Sequence, residues 1–412
     1  MADETYVVVG GGLAGGKAAE VLREEGFEGD IVLLTAEDRP PYERPVLSKG
    51  YLLGSDPVES AYVHESSWWD AHDITLRTRT TATGLRLEDR LVELDDGTTL
   101  GYDKLLLATG SWPRALDVTG ADLDGVVYLR TMPEAERIKA ILDAGGPLVV
   151  IGAGWIGLEV AAAARSHGVP VTVLETADLP LQRVLGDRVA EVFATLHREH
   201  GVDLRLGTGV AEIRGDGHVE SVLTTDGDEV PAAAVLIGIG ATPQCEWALA
   251  AGLAGDGGVD TDASMRTSDP AVWAAGDIAA ADKPRLGRRV RVEHWAMAND
   301  SGPVAARSML GQDVTYDKLP FFYTDQYDLG MEYVGHVLDP SSAEVVVRGN
   351  ADSTAGGLAF HAFWLEDGEV GAAMHVNMWD DGLDPLKALV GTRVDPARLA
   401  DTGVPLTDLV SD

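Results

Sequence analysis

Cysteine is nearly missing from these 412 residues, with Cys245 standing alone. A single thiol makes no internal disulfide, no Cys-x-x-Cys redox pair and no cysteine-rich metal site. It fits a reduced compartment, most simply the cytoplasm. The ten histidines fall into no H-x-x-x-H or H-E-x-x-H pattern, so no metal site is expected. No G-x-S-x-G elbow occurs either. Positive charge is scarce: 32 Lys and Arg face 67 Asp and Glu, for a net charge of −35. Such a surface repels phosphates and argues against nucleic-acid binding. No apolar run reaches the roughly 18–20 residues of a membrane span. The chain enters a strand at Thr5 with no basic stretch ahead of a greasy one, so no secretory signal is expected.

What is present reads as a soluble globular protein, 45% apolar and 24% charged. Its length calls for two or three domains. Glycine carries the pattern. Thr5–Val9 is a β-branched run ending in Gly10-Gly11-Gly12-Leu13-Ala14-Gly15, followed by an alanine-rich helix to about Glu25. In such a G-x-G-x-x-G turn Gly10 makes the tight bend, Gly12 admits a pyrophosphate against the backbone, and Gly15 lets helix and strand pack closely. The helix N-terminus then offers free N–H groups and a positive dipole end. A second strand, Asp30–Thr35, leads to Glu37, whose carboxylate suits ribose hydroxyls.

The pattern recurs. Pro147–Ile151 precedes Gly152-Ala153-Gly154-Trp155-Ile156-Gly157 and a helix to Arg165. Strand Val171–Leu174 ends at Glu175, 23 residues after Gly152, close to the expected interval of about 20. Thr176, Ala177 and Asp178 supply no base for a 2′-phosphate, which favours NAD(H). Arg183 is the nearest guanidinium and leaves NADP(H) open. Two dinucleotide sites on one chain suggest one resident and one visiting dinucleotide, with FAD and NAD(H) the natural pair.

Five further segments stand in a telling order: "RPPYERPVLSKGYLLG" (Arg39–Gly54), "YDKLLLATGSWPR" (Tyr102–Arg114), "VWAAGDIAA" (Val272–Ala280), "VEHWAMANDSGPVAARSMLG" (Val292–Gly311) and "PFFYTDQYDLGMEYVGH" (Pro320–His336). With the two fingerprints, they make nearly the whole chain resemble the FAD- and NADH-dependent ferredoxin reductases of the putidaredoxin-reductase type, within the pyridine-nucleotide oxidoreductases. Val46 stands where the family more often has Pro, and Tyr323 where many relatives have Trp. The resemblance implies an α/β protein with two Rossmann-like dinucleotide-binding domains and a C-terminal α+β domain. FAD would take residues 1–110 and 241–317, NAD the inserted 111–240, and the reductase domain 318–412. Pro113 and "GIGATPQ" (Gly238–Gln244) are expected hinges. Short strands (Glu344–Arg348, Ala359–Leu365, Gly371–Asn377) are expected ahead of a helical end.

The same resemblance implies site residues. Lys49 would lie beside the flavin and pair with Glu159 near the nicotinamide; the alternative for Glu159 is simply to favour the helix dipole. Asp277 would bind the ribityl hydroxyls. Leu13, Ala14, Arg44, Ala82, Ala108, Arg130 and Trp295 would touch FAD. Ile156 and Gly240 would line the dinucleotide sites. Trp155 would either cover the flavin or pack at a domain interface.

Thiol reductases of this superfamily hand electrons to a Cys-x-x-Cys pair, which is absent. A flavin also releases electrons singly, which suits a [2Fe–2S] ferredoxin serving a monooxygenase or ring-hydroxylating oxygenase. Alternatives are a rubredoxin reductase, an NADH oxidase, or a non-catalytic NAD(H)-responsive protein of the apoptosis-inducing-factor type. The water-forming oxidases usually need a cysteine at about positions 42–47, and none is there. One stretch runs against the acidic background: "KPRLGRRVR", Lys283 to Arg291, has five bases and no acid. It is expected to be exposed near the flavin edge, with Arg285, Arg288 and Arg289 docking an acidic ferredoxin, or else to be a locally paired loop.

Overall fold

The structure is a computed structural model that describes residues 4–353 and 356–410. The chain divides into two compact units, Met1–Arg44 with Glu59–Trp112 and Thr242–Pro320, and Pro45–Val58 with Pro113–Ala241 and Phe321–Asp412. Two of these boundaries, at Trp112/Pro113 and Ala241/Thr242, fall inside the expected Gly/Pro hinges.

The first unit is built on a five-stranded parallel sheet in the order Val272–Ala274, Lys104–Leu107, Thr5–Val9, Asp30–Leu34, Ile74–Arg77. Its strands are near-continuous apolar runs because both faces are covered, and Val7, Val8, Leu105 and Leu106 are fully buried. Helix Leu13–Glu24 follows the first strand. Helix Trp295–Met309 lies so close to it that a Cβ on Gly302 would stand 2.2 Å from the Ala14 carbonyl oxygen. Only a glycine there lets the two helices meet.

The second unit repeats the plan with a parallel sheet in the order Asp203–Arg205, Val171–Leu174, Leu148–Ile151, Ala234–Ile237, Val126–Val127. It adds an antiparallel sheet of five strands: Phe321–Gln326, Leu329–Gly335, Glu369–Val376, Ala359–Glu366 and Glu344–Asn350. Three of these were expected from the sequence; the first two strands were not drawn as such. Short helices Asp384–Leu389 and Pro396–Ala400 follow.

Residues 45–58 group with the second unit and not with the rest of the expected FAD segment 1–110. Lys139 Nζ donates to the Tyr51 carbonyl at 3.0 Å and His167 Nε2 to that of Leu52 at 2.8 Å. The C-terminal sheet joins this unit too, with Trp364 Nε1 donating to the Leu185 carbonyl at 2.9 Å. Both groupings depend on partners more than 80 residues away, which local composition does not reveal. No helix among the described residues is long and apolar enough to cross a membrane.

Candidate functional site

The first glycine turn is shaped by backbone sterics. Gly10 has φ +120°, and a Cβ there would lie 2.1 Å from the Ala108 carbonyl oxygen. A Cβ on Gly15 would lie 2.0 Å from the Gly10 carbonyl oxygen. Gly12 differs: its φ of −87° suits any residue, and a Cβ would meet nothing within 4 Å. It caps helix Leu13–Glu24 with no side-chain hydrogen bond and no acid in the first turn. The turn therefore leaves an open space before unclaimed N–H groups, the cradle a pyrophosphate needs.

The same unit holds most of the other expected FAD residues. Glu37 accepts hydrogen bonds from Arg44 Nη2 at 2.8 Å and from the Tyr42 hydroxyl. Burial works against the Arg44 charge, but Tyr42, Glu37 and Asp277 outweigh it and hold the guanidinium above its ordinary range. Asp277 is buried in the short turn Gly276–Ile278, where Ser301 Oγ accepts from Gly276 N at 2.9 Å. Gly276 is pressed so near that a Cβ on it would come within 3.2 Å of the Ala14 side chain. Ala108 is buried, Ala82 half-buried, and Trp295 Nε1 donates to Glu43 at 2.8 Å. Arg130 belongs to the other unit, beside the capping box that starts helix Met132–Ala144, its backbone N–H donating to Glu134 at 2.8 Å.

The second turn repeats the geometry. Gly152 has φ +98°, and Cβ atoms on Gly152 and Gly157 would lie 2.5 Å from Gly238 O and 2.3 Å from Gly152 O. At Gly154 the nearest atom to a Cβ would be 3.8 Å away. Glu175 ties this turn down: its Oε2 accepts from Ala153 N at 2.7 Å and its Oε1 from Ala177 N at 2.9 Å. The remaining lone pairs leave room for ribose hydroxyls. Gly240 accepts from Arg114 N at 2.9 Å. Trp155 packs against Phe193 and Phe322, with ring centroids 5.7 and 5.1 Å away. Ile156 is 41% exposed at the same helix start. The residues of both turns thus fit a dinucleotide phosphate each.

On helix Trp155–Ser166, one turn further, Glu159 is 3% exposed and meets Lys49 Nζ at 2.8 Å. The expected pair is in contact, and the dipole alternative for Glu159 yields to it. Tyr323 lies under the ammonium, 5.2 Å from Lys49 Nζ to the ring centroid. Two partners were not foreseen: Ser48 Oγ and Thr324 Oγ1 both donate to Glu159, the latter at 2.7 Å. A signal for Thr324 existed. In "FFYTDQ" the alternation puts Phe322, Thr324 and Gln326 on one strand face, and all three are buried. Two polar residues on an inward face call for partners.

The basic stretch is in part the locally paired loop that was its alternative reading. It forms a hairpin of strands Ala279–Lys283 and Arg288–Val290. Lys283 points inward and is 2% exposed, not on the surface. Its Nζ sits 3.1 Å over the Tyr316 ring centroid and donates to the Lys318 carbonyl at 2.9 Å. Burial pulls its pKa down to about 7. Arg289 pairs with Asp260 at 2.8 Å and Arg291 with Glu293 at 2.7 Å. Arg285 is exposed, with its backbone N–H on Asp317, and Arg288 is half-buried. The stretch has no acid of its own, but the fold brings Asp260 to Arg289, and Glu293, two residues past its end, turns back to Arg291.

Comparison with known proteins gives two family matches, pyridine nucleotide-disulphide oxidoreductase over residues 4–302 and reductase C-terminal over 321–410. The chain is 41% identical over 411 residues to the anthranilate 1,2-dioxygenase system ferredoxin--NAD(+) reductase component of Burkholderia cepacia, covering 98% of this chain and 99% of that one. It is 38% identical to putidaredoxin reductase of Pseudomonas putida, covering 100% and 97%. Among solved structures, the covalent putidaredoxin reductase–putidaredoxin complex matches with a TM-score of 0.93 at 36% identity, covering 100% of this chain and 99% of that one.

Proposed function

Since the chain belongs to the pyridine nucleotide-disulphide oxidoreductase family, with its reductase C-terminal region, we propose that it is an FAD-dependent ferredoxin--NAD(+) reductase. It takes hydride from NADH and hands single electrons to a [2Fe–2S] ferredoxin that serves an oxygenase. The observation that carries this reading is the pair of open glycine cradles in a chain whose one cysteine, Cys245, is buried. Bound FAD supplies the change from two-electron to one-electron chemistry. The lone thiol supports a reduced compartment, most simply the cytoplasm.

The chain's own residues bind and orient. The N–H groups after Gly12 hold one pyrophosphate, and Glu37, Arg44 and Asp277 set the rest of the FAD chain. The turn at Gly154 holds the pyrophosphate of NADH, with Glu175 on the ribose. Lys49 and Glu159 would act where hydride is passed: the ammonium would favour negative charge there, and the carboxylate would hold the ammonium in place. The test is anaerobic reduction by NADH followed by mixing with a panel of purified iron–sulfur carriers or with O₂. A [2Fe–2S] ferredoxin is expected to accept electrons far faster than O₂ does; peroxide as the main product would make the protein an NADH oxidase.

Glu175 sets the preference for NADH, because its charge repels a 2′-phosphate. Removal to Ala would also release both Ala153 and Ala177, so the milder variant is Glu175→Gln, which drops the charge, keeps an oxygen acceptor for one of these N–H groups and loses only the other. The NADH-over-NADPH ratio of kcat/KM is expected to narrow about tenfold, ~1.4 kcal/mol. Equal use of both nucleotides by the parent protein would contradict the assignment.

Arg285, Arg288 and Arg289 form the docking surface for ferredoxin. Arg288→Glu with Arg289→Glu is expected to raise the KM for ferredoxin about fivefold at low salt, since basic residues on an acidic protein steer association. Ferricyanide reduction stays near the parent rate. The effect fades as salt screens charges beyond about 10 Å at 0.1 M. Parent-like ferredoxin reduction at low salt places docking elsewhere.

A further inference from the structure

Thr324, Gln326 and His197 play no part in the reaction as set out above, yet they are 1%, 1% and 0% exposed. They stand in an unbroken row. Thr324 Oγ1 donates to Glu159 Oε1 at 2.7 Å, and Gln326 Nε2 donates to Thr324 Oγ1 at 3.2 Å. His197 Nε2 lies 2.8 Å from Gln326 Oε1, and the Tyr327 hydroxyl lies 3.3 Å from His197 Nδ1. Thr324 and Gln326 share a face of strand Phe321–Gln326, and His197 reaches them from helix Gln182–Glu199. Apolar side chains would fill the same space without the desolvation cost of four polar groups.

The direction of the row follows from its inner end. Glu159 is ion-paired with Lys49, so its carboxylate only accepts. The single Thr324 proton goes to it, and Thr324 must then accept from Gln326. That turns the Gln326 NH₂ toward Thr324 and its oxygen toward His197. His197 therefore carries its proton on Nε2, which leaves Nδ1 to accept from Tyr327. One carboxylate thus sets an amide orientation, a tautomer and a phenol rotor. The row is no proton path, because an amide relays a proton only by becoming an imidic acid.

We propose that Thr324, Gln326 and His197 are positioning residues, a one-way hydrogen-bond chain that fixes the Glu159 carboxylate and, through it, the Lys49 ammonium. This rests on the reading that Lys49 and Glu159 act at the nicotinamide–flavin contact. Burial drives the His197 pKa down to about 4, against the hydrogen bond to Gln326, with His200 adding to the fall. Its imidazole is neutral at pH 7, so the chain keeps one direction there.

Two measurements test it. In the FAD-loaded protein with ¹⁵N-labelled histidine, NMR is expected to show His197 as a neutral Nε2–H tautomer at pH 7, and that preference is lost in Gln326→Leu. An Nδ1–H tautomer, or a mixture, in the parent overturns the chain. In stopped flow at saturating NADH, Thr324→Val is expected to slow flavin reduction about tenfold, the scale of one charge-assisted hydrogen bond, with the NADH Kd unchanged. Thr324→Ser restores the rate. Gln326→Leu, three links from Lys49, slows it about threefold, and Thr324→Val with Gln326→Leu is no slower than Thr324→Val alone. Gln326→Met serves if the leucine variant does not fold. A parent rate in the Gln326 variant beside a slow Lys49→Ala sinks the chain alone. A parent rate in Lys49→Ala sinks the site reading beneath it.

Discussion

Lys49→Ala and Glu159→Ala each slow reduction of the bound flavin by NADH about a hundredfold, and the double variant is no slower than either single one. The size follows from removing a preorganised charge next to the reacting groups, a loss of about 10²–10³ in comparable sites. The lack of additivity follows from geometry. The two side chains are 14% and 2% exposed and 2.8 Å apart, so each has its effect through the other. The costs to stability differ. Glu159→Ala strands the Lys49, Ser48 and Thr324 donors at once, whereas Lys49→Ala leaves Glu159 with two hydroxyl donors. Breaking a buried pair by removing one partner costs about 3–5 kcal/mol, and the larger fall in Tm is expected for Glu159→Ala. Electron transfer from dithionite-reduced protein to ferredoxin stays at the parent rate if the pair serves the NADH half of the cycle, as proposed. Rapid mixing of the four proteins decides it; losses that multiply in the double variant mean that the two residues are not coupled.

The second large effect separates the glycines of the first turn. Gly12→Val folds, with the Tm of the apoprotein near that of the parent, but its affinity for FAD falls at least a hundredfold, about 2.7 kcal/mol. The reason is that a Cβ at Gly12 meets nothing of the protein within 4 Å and instead fills the space before the helix N-terminus. Gly15→Val behaves differently: its Cβ would stand 2.0 Å from the Gly10 carbonyl oxygen, so the turn itself fails and little folded protein is recovered. Thermal unfolding without FAD and flavin absorbance after reconstitution separate the two. A yellow Gly12→Val protein with full FAD content would mean that the pyrophosphate lies elsewhere.

Much of this site was legible because its rules act over a few residues. A β-branched run, three glycines at fixed spacing and an alanine-rich helix specify a phosphate turn wherever they occur, and both turns formed where the sequence placed them. Lys49 and Glu159 were matched by likeness to a family, since nothing in their spacing of 110 residues joins them. The basic stretch misled because charge was counted along the chain. Alternation in strand Ala279–Lys283 turns Lys283 inward, and Asp260 arrives from another segment to pair with Arg289.

By itself the sequence determined two dinucleotide turns, the carboxylate after each second strand, and the want of any partner for Cys245. Those are matters of backbone sterics, chain order and composition, which hold before the chain folds. The tertiary structure decided what each side chain does. It set Glu175 against the backbone of its own turn and laid Tyr323 under the Lys49 ammonium. It brought Thr324 and Gln326, more than 160 residues beyond Glu159, into its hydrogen-bond chain. A buried carboxylate takes whichever donors the packed strands and helices bring within about 3 Å, and that choice is made by where the elements meet in space.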